Sequence, residues 1–531
     1  MKSAFLGLCL ILLPSLQAAQ VEVPEGWHLK SYEESERYGI SLPEAYELLK
    51  GKKSKTVIVA VIDSGIDVEH EDLADIMWVN EDEVAGDGKD NDGNGYIDDV
   101  HGWNFLGGKD GDVSHETLEM TRLYRKLKPK YDGKERDDIK KKERAEFDLY
   151  QEVKKDFEES VAQANGNIER YKDIEKQYGR FEKLIRAYLD KGEDEEITPQ
   201  DLLSFESSDS IVSRAQALLA AITMAGLDES YFGETIEYFQ GQLDYNLNPD
   251  FNARDIIGDN FADKKEKIYG NNNYEGPDAR HGTHVGGIIA AIRGNDLGAE
   301  GVADNVRIMT IRAVPDGDEY DKDVANAIYY AVDNGAQIIN MSFGKAYSPE
   351  KSVVDEAARY AESKGVLLVH AAGNDGKDTD QGKNFPHAEP LKGKSISTWL
   401  EIGASSWGTE DALVASFSNY AQKRVDLFAP GTEIYSTVPD DKYENLQGTS
   451  MAAPVVSGVA ALLMSYFPEL SAKDVKEILM DSATDLGDME IVLPGSDREN
   501  PTLVKFKELS KTGGIVNAKS AVEMAQKKTG K

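Results

Sequence analysis

Short, almost unbroken apolar runs alternate along this chain with segments whose apolar residues recur every three or four positions. Thr56-Val-Ile-Val-Ala-Val-Ile62 is a β-branched run of the kind expected for a strand buried on both faces. Comparable runs stand at Val306–Ile311, Ile338–Met341 and Val366–Val369, and helical spacing fills Lys322–Asn334 and Ser352–Lys364 between them. A shorter helical pattern involves Ala45, Tyr46, Leu48 and Leu49. Strand and helix alternating in this way predict βαβ units around a central parallel sheet, an α/β fold.

From about residue 115 to 240 the pattern changes. Phe147, Tyr150, Val153, Phe157, Val161, Ala164, Ile168, Tyr171, Ile174, Tyr178, Phe181, Ile185 and Tyr188 follow a coiled-coil-like spacing, with Lys, Glu and Asp in most of the gaps. The pattern predicts a helical hairpin broken near Asn165-Gly166, then shorter helices near 198–225 and 228–242. The expected organisation is a discontinuous α/β domain, 20–114 and 245–531, interrupted by a helical insertion at 115–244. The insertion reads either as a solvated structural lobe or as an element that gates substrate and shields the cleft.

Composition narrows the class. In 531 residues, 40% are hydrophobic and 29% charged, as in folded globular chains. Acids outnumber bases 96 to 60, and a formal charge of −36 disfavours phosphate backbones and anionic lipid, so no nucleic-acid partner is expected. The charge serves solubility equally well. Lys2, the apolar run Ala4–Leu16 and the small residues Ala18 and Ala19 predict a signal peptide over 1–19, and so export to the periplasm or the medium. Cys9 is the single cysteine, so the exported chain is expected to carry neither disulfide nor thiol nucleophile. No later apolar stretch reads as an integral membrane segment.

Three short segments carry the chemistry. Val61-Ile-Asp63-Ser-Gly65 puts an acid at the C-terminal end of a buried strand, where catalytic groups of open α/β sheets gather. His281-Gly-Thr-His284-Val-Gly-Gly287 opens an apolar helix. Gly448-Thr-Ser450-Met-Ala-Ala-Pro454 opens another, with Ser450 near its amide dipole. Each alone has a bland reading, as a turn cap, a polar helix end or an N-cap. Together they have the order Asp, His, Ser.

These segments resemble the three motifs of the subtilisin-like serine protease family, over 55–108 and roughly 250–525, with the helical insertion outside the family pattern. The resemblance implies a three-layer α/β fold and a serine endopeptidase acting on protein or peptide substrates through an acyl-enzyme. Ser450 would be nucleophile, His281 general base and Asp63 the acid that orients it. It implies that Asn374, in Ala371-Ala372-Gly373-Asn374-Asp, donates to the oxyanion with the Ser450 N–H. It further implies that Ser342, Phe343 and Gly344 pair with substrate backbone and wall the first specificity pocket opposite Ala372 and Gly373, and that His284 is structural. Phe343 stands where the family carries smaller residues, leaving the pocket's preference open. With about thirty-five residues between signal and first strand, a domain-sized inhibitory pro-segment is not expected.

Asp87-Gly-Lys-Asp90-Asn-Asp92-Gly-Asn94-Gly95-Tyr96-Ile-Asp98-Asp99 places oxygens at alternate positions around glycines, as in the first nine positions of an EF-hand loop. Structural Ca²⁺ on Asp90, Asp92, Asn94, the Tyr96 carbonyl and Asp98 is expected, against the alternative of a solvated acidic turn. His101 stands at position twelve, so a further carboxylate, such as Asp99, has to complete the set. Two other classes compete with the enzyme: a catalytically silent binding protein, and an adhesion module built on the acidic loop and coiled coil. A complete triad with Asn374 argues against the first, and a single copy of the loop against the second.

Overall fold

The computed structural model describes residues 23, 24, 26–224 and 227–530, so the signal-peptide reading of 1–19 lies outside the described residues. The described chain forms two compact units, one spanning Met120–Phe251 and the other combining Glu22–Glu119 with Asn252–Lys531.

The larger unit is built on a nine-stranded sheet. In chain order its strands are β1 (Val57–Asp63), β2 (Gly102–Asn104), β3 (Val306–Arg312), β4 (Ile338–Met341), β5 (Leu367–Ala371), β6 (Trp399–Ser405), β7 (Leu427–Pro430), β8 (Thr484–Asp485) and β9 (Gly514–Ile515). Across the sheet they run β8-β9-β7-β6-β5-β4-β1-β3-β2. All neighbours are parallel except β8 and β9, which are antiparallel. The chain leaves β1 toward β3 on one side and then adds β4, β5, β6 and β7 on the other. The order therefore reverses at β1, and a crevice opens beyond the C-terminal ends of β1 and β4, where α/β sheets place their ligands. Asp63 ends β1 and Ser342 follows β4.

Four helices flank these strands: α1 (Arg280–Ala290), α2 (Asp321–Asp333), α3 (Lys351–Ser363) and α4 (Thr449–Tyr466). By length and composition α4 is apolar enough to cross a membrane, but 89% of it is buried inside the fold, where it serves as a core helix. It packs across β1, β4, β5, β6 and β7, in one core with Val59, Val61, Ile338, Leu367, Val369, Leu400 and Ile402. Each such side chain contributes roughly 1.5–3 kcal/mol by leaving water. Holding α4 in that core fixes its first turn, and with it Ser450, against the strand ends.

Charged residues bury here too. Arg254, 8% exposed, bonds Asp259 at 2.7 and 2.9 Å and Asp323 at 2.9 Å, and Lys322, 1% exposed, bonds Asp259 at 2.7 Å and Glu266 at 2.8 Å. Paired charges of this kind tie the 254–266 segment to α2; removal of one member strands the other in the interior.

The smaller unit departs from the expected hairpin. Arg144–Leu189 is one continuous 46-residue helix, about 69 Å long at 1.5 Å per residue. Asn165-Gly166 sits inside it, the Asn165 amide donating to the Val161 carbonyl at 2.8 Å. A glycine inside a helix costs about 1 kcal/mol, less than the packing on either side gains. Ile168 and Tyr171 share a core with Ile222, Phe232 and Phe239, and Ile185 shares another with Leu202, Val212, Ala215 and Leu219. The helices Pro199–Leu203, Ser210–Met224 and Glu229–Gly241 supply those partners, so the long helix is braced along its second half.

Candidate active site

Asp63 leaves β1 into a turn that only glycine completes: Gly65 has φ +123°, and a Cβ there would lie 2.0 Å from the Glu275 carbonyl oxygen. The first turn of α1 presses onto this turn through Gly282, whose Cβ would lie 2.1 Å from the Gly65 carbonyl oxygen. That close approach brings His281 to Asp63. The His281 Nδ1–H donates to Asp63 Oδ1 at 2.6 Å, and the same oxygen accepts the Ser64 N–H at 2.7 Å. Asp63 is 1% exposed, and its Oδ2 has no hydrogen-bond partner.

Burial works against charge on the imidazole, but the Asp63 charge and its hydrogen bond outweigh it and hold the His281 pKa above the ordinary 6.5. With 39% of its side chain exposed, His281 still opens toward the crevice. His284, one turn on, behaves differently. Its Nε2–H donates to the Glu444 carbonyl at 3.0 Å, and burial pushes its pKa down to about 3, so it stays neutral inside the fold.

Ser450 occupies the first turn of α4 and is tied to the end of β4 by two bonds. Its hydroxyl donates to the Ser342 carbonyl at 3.0 Å, and the Ser342 hydroxyl donates to the Ser450 carbonyl at 2.9 Å. The serine hydroxyl is thus directed at Ser342, and Asp63 and His281 form the bonded pair. Asn374, three residues beyond β5, completes the constellation. Its Oδ1 accepts the Thr449 N–H at 2.8 Å and the Thr449 hydroxyl at 2.9 Å. Because an amide N–H can meet only an acceptor, this fixes the carboxamide with Nδ2 on the far side. Nδ2 and the Ser450 N–H lie 3.5 and 3.6 Å from the point a Cβ on Gly448 would occupy. Two donors thus flank one small space, kept clear by a glycine at φ +153°. Such a pair can stabilise negative charge on an oxygen.

Ser342 and Phe343 are buried, and Ala372 and Gly373 lie beside Asn374, the Gly373 N–H donating to the Thr449 hydroxyl at 3.1 Å. Thr449 is a site residue that sequence reasoning passed over; its side chain joins α4 to both Gly373 and Asn374. Its place between Gly448 and Ser450 was the available signal.

The acidic loop brings two of the expected carboxylates, Asp90 and Asp92, together with Glu83. Carboxylate oxygens of Glu83, Asp90 and Asp92 all lie within 4.8 Å of one another. Glu83, seven residues before Asp90, carries no spacing signal and was not anticipated. Asn94 donates to Asp92 at 3.0 Å and to Asp99 at 3.1 Å, which places Asp99 behind the loop. Asp98 instead accepts the Gly86 and Gly88 N–H groups, both at 2.9 Å, and the Tyr96 hydroxyl donates to the Lys267 carbonyl at 3.2 Å. Burial pushes the Asp99 pKa up to about 6.

The sequence profile of the Subtilase family matches residues 54–498. The "Thermophilic serine proteinase" of Bacillus sp. (strain AK1) is 38% identical over 235 residues, 44% of this chain and 52% of that protein. "Subtilisin DY" of Bacillus licheniformis is 38% identical over 210 residues, 39% of this chain and 72% of that protein. "Thermitase" of Thermoactinomyces vulgaris is 35% identical over 219 residues, 41% of this chain and 70% of that protein. The matched segment thus spans about half the length of the first of these relatives and over two thirds of the other two.

Proposed function

This chain belongs to the subtilase family, and from that premise we propose that it is an exported serine endopeptidase. The observation that supports this most directly is the 2.6 Å bond from His281 Nδ1–H to Asp63 at the switch point of the sheet. With Nδ1–H given to Asp63, the other ring nitrogen carries the lone pair that accepts a proton from Ser450. The Ser450 hydroxyl turns from the Ser342 carbonyl to the imidazole, and its oxygen attacks the scissile carbonyl carbon. Asn374 Nδ2 and the Ser450 N–H receive the oxyanion. Collapse expels the amine, protonated by the imidazolium, and leaves an acyl-Ser450 ester. Water, activated by the same imidazole, hydrolyses it. Asp63 stays ionised throughout and stabilises the imidazolium. Ser342–Gly344 and Ala372–Gly373 are assigned to the walls that hold the extended substrate.

Ca²⁺ fits the acidic loop as a structural ion: hard oxygen donors of Glu83, Asp90 and Asp92 converge within 4.8 Å, and a cation relieves their repulsion. The helical unit, inserted in sequence between Asp63 and His281, is assigned a shielding role. Removing it is expected to raise turnover of casein relative to a tetrapeptide; an unchanged ratio refutes that role.

Fluorophosphonate labelling of the exported protein beside Ser450→Ala, with casein digestion in parallel, tests the central reading. Labelling and digestion lost together in the variant support it. A wild-type protein that neither labels nor digests, with Ca²⁺ supplied, overturns it in favour of a silent binding protein.

A further inference from the structure

Below the two assigned pocket walls lies a polar group that neither the strand pattern nor the triad motifs singled out. A Cβ built on Gly344 would stand 3.2 Å from Asn384 Oδ1 and 3.8 Å from His370 Nε2. A Cβ on Gly373, in the opposite wall, would stand 3.6 Å from the same Asn384 Oδ1. This oxygen therefore lies within reach of both walls, and the His370 nitrogen within reach of the Gly344 wall. The Asn384 orientation is set by its Nδ2–H, which donates to the Ala372 carbonyl at 3.0 Å and leaves Oδ1 facing the glycines.

His370 is fully buried at 0% exposure, and its ring is held on both sides. Its Nδ1–H donates to Glu401 Oε1 at 3.0 Å, and Phe343 packs edge-on against it with centroids 6.2 Å apart. The other Glu401 oxygen accepts the Trp399 indole N–H at 2.8 Å. With Nδ1–H given to the carboxylate, Nε2 is the ring's second hydrogen-bonding position, and the Nδ1–H tautomer carries its lone pair there. That nitrogen is buried and has no hydrogen-bond partner. A buried acceptor left unmade is costly, and within a binding crevice its natural partner is the ligand.

We propose that Asn384 Oδ1 and His370 Nε2 form an acceptor floor for the first specificity pocket. This floor selects peptides whose residue on the acyl side of the scissile bond ends in N–H donors. Lysine and glutamine are favoured over methionine, which has similar length and no donor, and over glutamate, which brings only acceptors. Phe343 gives the methylene stem an apolar flank. A site built to hydrogen-bond its ligand rejects analogues that leave its polar groups unpaired. The inference rests on the reading of this crevice as a peptidase site.

The test separates binding from turnover. Ser450→Ala protein is titrated calorimetrically with acetyl-Ala-Ala-Pro-X peptides, X being Lys, Gln, Met or Glu. Lys and Gln peptides are expected to bind about 10- to 100-fold more tightly than Met, and Glu more weakly still. Wild-type kcat/KM on the matching p-nitroanilides is expected in the same order. Asn384→Ala removes one acceptor and is expected to shrink the Gln-to-Met ratio in both binding and kcat/KM. Glu401→Gln frees His370 to carry its proton on Nε2, and is expected to shift preference from Gln toward Glu. Met bound as tightly as Gln, or ratios unmoved by both variants, overturns the floor. An inactive wild type whose Ser450→Ala protein still ranks the peptides in the expected order overturns the peptidase reading alone.

Discussion

The two roles assigned to Asn374 fall on the two ends of one carboxamide, and substitution can separate them. Oδ1 clamps Thr449 through bonds of 2.8 and 2.9 Å, and Nδ2 faces the space beside the Ser450 N–H. Loss of one oxyanion donor costs roughly 10²–10³ in turnover, a figure measured in subtilisins themselves. Each neutral clamp bond contributes about 0.5–1.5 kcal/mol to stability, so losing both costs about 1–3 kcal/mol. Asn374→Ala removes donor and clamp together: kcat is expected to fall about 10²–10³-fold with KM nearly unchanged, and the thermal midpoint to drop. Asn374→Asp keeps an acceptor for Thr449 but sets a carboxylate oxygen where the donor was. Its midpoint is expected near wild type, with a deeper loss of kcat because like charges now meet. The assay is steady-state hydrolysis of a peptide p-nitroanilide beside a thermal melt. An Asn374→Asp enzyme retaining more than a tenth of wild-type kcat refutes the assignment of Nδ2. A loss confined to KM refutes its restriction to the transition state.

Three further outcomes follow from other parts of the molecule. His281 has a raised pKa, so protonation stabilises the fold below the unfolded value near 6.5 and that contribution fades as pH rises through the folded value. Activity runs the other way, because only the neutral ring is a base: kcat/KM is expected to rise with pH. Asp63→Asn should lower that inflection and cut kcat by about 10⁴, and an inflection that stays put refutes the pairing. EDTA is expected to lower the thermal midpoint and Ca²⁺ to restore it, with the response weakened in Glu83→Gln; equal melts with and without chelator remove the ion from the acidic loop. Gly166→Ala meets nothing within 4 Å and is expected to stabilise the helical unit by about 0.5–1 kcal/mol, whereas a hairpin turn at that position would be destabilised.

What could be read from sequence depended on whether burial was recorded in composition. β1 and β3–β5 are mostly apolar and almost wholly buried, so their runs announced them to within a residue or two. β6 was not visible, though every residue of it is buried, because Glu401 and Gly403 interrupt its apolar run. Glu401 is tolerated there by the Trp399 indole two residues back on the same strand and by His370 on the neighbouring β5, and no local pattern reports the pairing across strands. Helix continuity through Asn165-Gly166 failed for a related reason: local propensity favoured a break, and Ile222, Phe232 and Phe239, far along the chain, decided otherwise. The site divides along the same line. Asp63, His281, Ser450 and Asn374 stand in short motifs because each must sit at a glycine-relieved strand end or helix start. Glu83, Thr449 and Asn384 matter through what the fold brings to them. Catalytic groups bound to a backbone turn therefore leave a sequence signature, whereas residues that shape a pocket or a cation site from separate loops leave none. The proposed substrate preference rests on residues of the second kind, and for that reason no short motif announces it.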